Sequence, residues 1–174
     1  MTSLLVIGGA RSGKSRYAQS RAEAQACAQS PPLARCFVAT AQAFDDEMRE
    51  RIKRHQEDRK GGWITVEAPV DLAEAITQWS TPGRVLLVDC LTLWTSNLLL
   101  GDRDIAGATT RLTEAIGAAP GPLIFVANEV GWGIVPDNAL ARRFRDEAGI
   151  INQRVAQAVG EVQLVVAGLS LKLK

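Results

Sequence analysis

The sequence predicts an α/β fold built around a mostly parallel sheet, and three features carry that expectation. Short β-type runs alternate with longer helix-forming stretches along the chain, the order that βα units produce. Two of the runs, Val85-Leu86-Leu87-Val88 and Leu123-Ile124-Phe125-Val126-Ala127, are apolar at every position, as strands covered on both faces must be. The first run opens straight into Gly8-Gly9 and then into a segment of helical composition, so a strand, a glycine turn and a helix follow one another at the start of the chain.

Element by element, residues 3–7 form the first strand, and residues 14–28, rich in Ala, Arg, Glu and Gln, make the first helix, which Pro31-Pro32 ends. Residues 35–40 (Arg-Cys-Phe-Val-Ala-Thr) read as the second strand. Asp45-Asp46 then caps a helix through Met48, Ile52 and His55 that stops at Gly61-Gly62. Residues 63–67 are a third strand, residues 71–80 a helix, Pro82-Gly83 a turn, and residues 85–88 a central strand ending at Asp89. A helix is expected over 91–100, a Gly/Asp/Ala loop over 101–108, and a helix over 109–119 that Pro120-Gly121-Pro122 breaks before the strand at 123–127. Residues 139–159 make one long or broken helix. The runs at 162–167 and 169–174 flank Gly168 as a hairpin, which adds an antiparallel edge strand.

The chain of 174 residues is of one-domain size, and no internal repeat or linker divides residues 1–174. Hydrophobic residues make up 47% and charged residues 22%, which excludes a disordered polyelectrolyte. A net charge of +1 gives no footprint for nucleic acid, and no apolar run is long enough to span a bilayer. With no basic leader ahead of Leu4, a soluble cytoplasmic protein is expected. Cys27, Cys36 and Cys90 lack close pairing or CxxC spacing, so they are read as small buried residues and not as a disulfide framework or zinc site.

The strongest chemical signal is Gly8-Gly9-Ala10-Arg11-Ser12-Gly13-Lys14-Ser15, a full match to the phosphate-binding pattern G-x-x-x-x-G-K-[ST] in its required setting between strand and helix. Glycines let main-chain N–H groups converge on phosphate oxygens, and the helix N-terminus adds its positive dipole end. Lys14 is placed for the β- and γ-phosphates and the Ser15 hydroxyl for Mg²⁺. Such enzymes need a second acid at a neighbouring strand end. Asp89 supplies it, with a helix cap before Leu91 as the alternative reading. Asn128 and Glu129 close the strand at 123–127, where open α/β sheets bind ligands. They are followed by Val130-Gly131, not by the lysine and second acid of the Asn-Lys-x-Asp element of GTPase switches.

His55, the single histidine, shares a helical face with Met48 and Ile52 and is surrounded in sequence by Arg51, Lys53, Arg54 and Arg59. Spacing alone leaves two readings open. One is ordinary packing, and the other is a neutral imidazole that attacks phosphorus to form a phosphoramidate.

The P-loop, Ala-Thr-Ala-Gln at 39–42, the Asp-Asp-Glu-Met-x-x-Arg-Ile-x-x-His stretch at 45–55, Leu-Val-Asp-Cys-Leu-Thr at 87–92 and Asn-Glu-Val-Gly-Trp-Gly-Ile-Val-Pro at 128–136 carry a resemblance. So do Arg142-Arg143-Phe144-Arg145-Asp146, Gly149, Asn152-Gln153-Arg154 and the Val-Val-Ala-Gly close. The chain resembles, nearly end to end, the bifunctional adenosylcobinamide kinase / adenosylcobinamide-phosphate guanylyltransferase family. That resemblance implies a RecA-like P-loop fold, trimeric assembly, and a two-step chemistry with ATP, GTP and Mg²⁺. Adenosylcobinamide is phosphorylated, and GMP then passes from GTP to adenosylcobinamide phosphate through a guanylylated histidine at the position of His55. It further implies nucleotide contacts at Gly8 to Ser15, Ala39, Thr40, Ala41, Gln56, Glu57, Asp58, Arg59, Glu67 and Asp89, with Ser15 and Asp89 at the metal. Glu67 has a competing reading as a surface acid, and Ala41 stands where many members carry a serine. Trp132 is placed either to lie against a flat, partly apolar substrate or to pack at a subunit contact. Two rival classes follow from the same residues: a plain P-loop kinase that never forms a covalent nucleotide, and a nucleotide-dependent switch without turnover.

Overall fold

The computed structural model describes residues 3–42 and 61–174. The expected helix behind Asp45-Asp46, with His55 and Gln56 to Arg59, lies outside the described residues.

Seven strands make one sheet: β1 (Ser3–Gly8), β2 (Ala34–Ala39), β3 (Trp63–Glu67), β4 (Arg84–Asp89), β5 (Leu123–Asn128), β6 (Glu161–Val166) and β7 (Leu169–Lys172). Their order across the sheet is β3-β2-β4-β5-β1-β6-β7. Every neighbouring pair is parallel except β6 with β7, the terminal hairpin expected from Gly168. Among the described residues five helices connect the strands: α1 (Lys14–Cys27), α2 (Leu72–Trp79), α3 (Leu91–Leu100), α4 (Ile105–Ala118) and α5 (Ala139–Ala158).

Side-chain alternation along the strands divides the core between two faces. Leu4 and Val6, Val85 and Leu87, and Ile124 and Val126 point to the face covered by α1. Leu5, Val38, Leu86, Val88, Phe125 and Val162 point to the other, where residues of α2, α3, α4 and α5 complete the larger cluster. Helix α1 buries Ala18, Ala22 and Ala26, one per turn on a single stripe, and this small-residue face lets it lie close against the strands. Because α1 is the helix that follows the glycine turn, its close seating fixes where its N-terminus stands over the sheet.

Two expectations change, for the loop at 101–108 and for Cys27, and one left open, the long helix, is settled. The loop expected over 101–108 ends early, because the Asp104 side chain accepts a hydrogen bond from the Gly107 N–H at 2.9 Å and α4 begins at Ile105. Burial of Ile105 and Ala108 against the core, with that cap, outweighs the low helix propensity of Gly107. Residues 139–158 form one unbroken helix, capped by the Asn138 side chain, which accepts from the Ala141 N–H at 3.1 Å. Cys27 is exposed at the end of α1, unlike Cys36, which fits the reading as a small core residue. No helix among the described residues is long and apolar enough to cross a membrane.

Candidate functional site

The turn after β1 is built by close approach. A Cβ on Gly8 would collide with the Val165 carbonyl oxygen of β6 and stand 2.7 Å from Ser12 Oγ, so only glycine fits. Gly13, at φ 96°, delivers the chain into α1. The Gly168 N–H of the β6–β7 turn donates to the Ser12 carbonyl at 2.8 Å, which ties the loop to the terminal hairpin. Helix α1 then starts with Gly13 at its cap position and no side-chain cap, and its N-terminus carries the positive end of the helix dipole. Lys14 is buried, and its Nζ donates to the Gly9 carbonyl at 3.1 Å across the mouth of the loop. Ala10, Arg11 and Gly13 are exposed along the loop, and Ser15 is half-buried beside Lys14.

Strand register supplies the rest of the site. Ala39 pairs with Asp89 on one side and with Glu67 on the other, so three strand ends from the sequence reading stand in one row at about 4.8 Å spacing. Asp89 follows Val85 and Leu87 by alternation, and Glu67 follows Trp63; both sets pack in the cluster on the α1 face. Gly8 pairs with Asn128, which follows Ile124 and Val126 on the same face. Glu67, Ala39, Asp89 and Asn128 therefore face the side on which the P-loop and the start of α1 lie. Glu67, which spacing alone did not single out, belongs to this row.

Thr40 turns the other way. Its buried hydroxyl donates to the Asp89 carbonyl at 2.5 Å and the Cys90 carbonyl at 2.9 Å, while Asn97 Nδ2 donates to its own carbonyl at 2.8 Å. Its side chain thus braces the turn that carries Asp89, and Ala41 follows it half-buried. Cys90 holds the cap position of α3, at φ 75° and with no side-chain cap hydrogen bond, and Asp89 precedes it at the end of β4. Burial, and then the Asp89 charge, push the Cys90 thiol above its ordinary value, which keeps it protonated beside the site.

Asn128 is held by its main chain. Its N–H donates to Thr92 Oγ1 at 2.8 Å and its carbonyl accepts from Asn152 Nδ2 at 3.3 Å, while the following Glu129 N–H donates to the Gly8 carbonyl at 3.0 Å. Among the described residues, Asn128 Oδ1 and Ser12 Oγ are both buried without a hydrogen-bond partner. Glu129 Oε1 accepts from the Gly131 N–H at 2.7 Å, and beyond it Trp132, Ile134 and Val135 are exposed. Thr92, Asn97 and Asn152 are scaffold residues that the sequence reading left unassigned. The available signal was the presence of Thr92 and Asn97 among the leucines of α3, where buried polar groups need partners.

Among the described residues no group of three His, Cys, Asp or Glu is placed to hold a metal by itself. The hard oxygen donors on the P-loop face, Ser15 and Asp89, suit Mg²⁺, which takes one or two protein ligands and completes its shell with phosphates and water.

The family model described as cobinamide kinase / cobinamide phosphate guanyltransferase matches residues 4–173. The bifunctional adenosylcobalamin biosynthesis protein CobP of Pseudomonas aeruginosa is 45% identical over 172 residues, spanning 98% of this chain and 96% of that protein. The bifunctional adenosylcobalamin biosynthesis protein CobU of Escherichia coli is 42% identical over 186 residues, spanning 98% of this chain and 99% of that protein. Among solved structures, the flagellar accessory protein FlaH of Methanocaldococcus jannaschii has a TM-score of 0.52 at 10% identity, over 99% of this chain and 78% of FlaH. At that identity the likeness is one of fold, and it fits the P-loop sheet described above.

Proposed function

The chain belongs to the cobinamide kinase / cobinamide phosphate guanyltransferase family, and from that premise we propose that it phosphorylates adenosylcobinamide with ATP or GTP and then transfers GMP from GTP to the product. Adenosylcobinamide-GDP and pyrophosphate result, a late step of cobalamin assembly. The observation that carries this reading is the joining of the P-loop and the Asp89 row on one face of the sheet, in a chain whose match runs nearly end to end.

In the first step the substrate hydroxyl oxygen bonds to the γ-phosphorus and the bond to the β–γ bridging oxygen breaks. A nucleoside diphosphate leaves, and the hydroxyl proton passes to a phosphate oxygen and on to water. Main-chain N–H groups from Gly8 to Ser15 and the Lys14 ammonium hold the phosphates, while Ser15 and Asp89 hold Mg²⁺, which neutralises phosphate charge when bound. In the second step a His55 imidazole nitrogen bonds to the α-phosphorus of GTP and pyrophosphate leaves. A phosphate oxygen of adenosylcobinamide phosphate then attacks the same phosphorus and frees the imidazole. The imidazole must be neutral to attack. The described residues stop at Gln42, just past the β2 end of the same row, and resume at Gly61, just ahead of β3. Ala39, Thr40, Ala41, Gln56, Glu57, Asp58, Arg59 and Glu67 complete the nucleotide contacts, with Thr40 acting through its main chain and Ala41 without a hydroxyl. One domain carries both activities in a cytoplasmic homotrimer that needs no nucleic acid.

The test supplies Mg²⁺ and adenosylcobinamide with γ-labelled ATP, and separately with α-labelled GTP, and resolves the corrinoids by chromatography. The γ label is expected in adenosylcobinamide phosphate and the α label in adenosylcobinamide-GDP. Transfer of the γ label alone would leave a plain kinase, and transfer of neither would contradict the reading.

A further inference from the structure

We propose that the Asn128 carboxamide holds the attacking hydroxyl of the alcohol substrate in the phosphoryl-transfer step, an inference that rests on the kinase reading above. Three observations converge on it. First, Oδ1 is buried without a partner among the described residues, and a lone acceptor in that setting costs free energy that an arriving donor would recover. Second, among the described residues the hydrogen bonds that fix residue 128 are main-chain ones, from its N–H to Thr92 Oγ1 and from Asn152 Nδ2 to its carbonyl. A position fixed so firmly by its backbone, and left with an unused amide oxygen, is a built presentation of that amide.

Third, the register sets residue 128 beside the loop whose lysine would serve the γ end of a triphosphate. Asn128 is the register partner of Gly8, and the neighbouring Gly9 carbonyl marks where Lys14 Nζ lies; that ammonium serves the β- and γ-phosphates. Asp89 lies on the next strand over and faces the same side, two residues lower in register, since Val88 pairs with Phe125. A phosphate oxygen beside the carboxamide can pair only with its Nδ2 donors and not with Oδ1, which is itself an acceptor. Oδ1 suits a hydroxyl, whose hydrogen it receives while the oxygen is held in line with phosphorus. The amide keeps no proton: as the oxygen–phosphorus bond forms and the β–γ bridge breaks, the hydroxyl proton goes to a phosphate oxygen. Attack at the α-phosphorus takes place on the far side of the β-phosphate, so the histidine-linked half of the chemistry does not use this contact.

The experiment compares wild type, Asn128→Ala and Asn128→Asp in three readouts on the full chain: nucleotide affinity, the rate of phosphoryl transfer to adenosylcobinamide at saturating nucleotide, and the rate of GMP loading onto the protein from GTP without corrinoid. For Asn128→Ala the phosphoryl-transfer rate is expected to fall about 10- to 100-fold, with affinity and GMP loading within about threefold of wild type. Asn128→Asp, which keeps an acceptor oxygen at the same place, is expected to retain a larger share of that rate than the alanine variant. Equal loss of both transfers in the alanine and aspartate variants would overturn the proposal in favour of a structural role, and an unchanged phosphoryl-transfer rate in Asn128→Ala would overturn it outright. A wild type that transfers no phosphoryl group at all would sink the kinase reading first, and the role of Asn128 with it.

Discussion

Lys14 is a residue whose role is legible in the sequence alone. A lysine behind two glycines, and ahead of a helix, has a reason to be there only if an anion is expected, and in the fold it is buried with its ammonium on the Gly9 carbonyl. Lys14→Ala is expected to weaken nucleotide binding by about 10- to 100-fold, the equivalent of one charge-assisted hydrogen bond, and to depress both transfers. Titration calorimetry together with the two rates checks this. Loss of only one transfer would assign Lys14 to a single step. Other residues could not be oriented from sequence. The run Arg35-Cys36-Phe37-Val38-Ala39-Thr40 lies in a strand covered on both faces, so its side chains show no polar alternation, and nothing in it says that Ala39 faces the P-loop while Thr40 faces away. Glu67 joined the row only through its register with Ala39.

At the scale of elements, the terminal hairpin is tied to the glycine loop of the proposed nucleotide site. Its turn residues Ala167 and Gly168 take φ 52° and 80°, both left-handed, as a two-residue type I′ turn requires, and Gly168 also bonds Ser12. Gly168→Ala is expected to cost about 1 kcal/mol and to loosen the P-loop, whereas Ala167→Asn is expected to add a few tenths of a kcal/mol. Thermal unfolding and nucleotide titration read both effects; unchanged affinity in a destabilised Gly168→Ala would separate hairpin from site. The Arg21–Glu161 ion pair at 2.8 Å links α1 to β6 in the same region. The Arg21 hydrogen bond holds the Glu161 carboxyl down to about 2 from an ordinary 4.5. Its stabilisation is therefore complete above pH 4.5 and lost as pH falls toward 2. Both side chains are partly exposed, so solvent screening limits the pair to no more than about 1 kcal/mol. Glu161→Gln should lower stability at neutral pH and flatten its decline between those values in acid-unfolding curves; an unaltered slope would assign the decline to other carboxyls. Element boundaries were legible where caps and breakers were unambiguous. The start of α4 was not, because the Gly and Asp residues that suggested a loop include Asp104, the cap that begins the helix.

For the whole molecule, the class of fold and the terminal hairpin followed from alternation and from Gly168, but the order of strands did not. The placement of β5 between β1 and β4 depends on contacts far apart in sequence, and it is this placement that inserts Asn128 between the P-loop strand and the Asp89 strand. The face carrying Val166, Leu169 and Leu171, in register across the last two strands, is exposed and apolar, as is the segment with Trp132, Ile134 and Val135. Exposed surface of this kind supports the proposed self-association. Light scattering should give a native mass three times the 18.7 kDa of one chain. A monomeric mass would require the corrinoid to be bound within one copy.

The claim at the centre of the account is that GMP passes through His55, and intact-protein mass spectrometry after incubation with Mg²⁺ and GTP, without corrinoid, tests it most directly. Wild type is expected to gain one GMP, about 345 Da, that an acid quench removes as a phosphoramidate should be removed, and His55→Ala is expected to gain nothing while still binding GTP. A wild type that binds GTP and stays unmodified, or a His55→Ala variant that still gains the mass, would contradict the account.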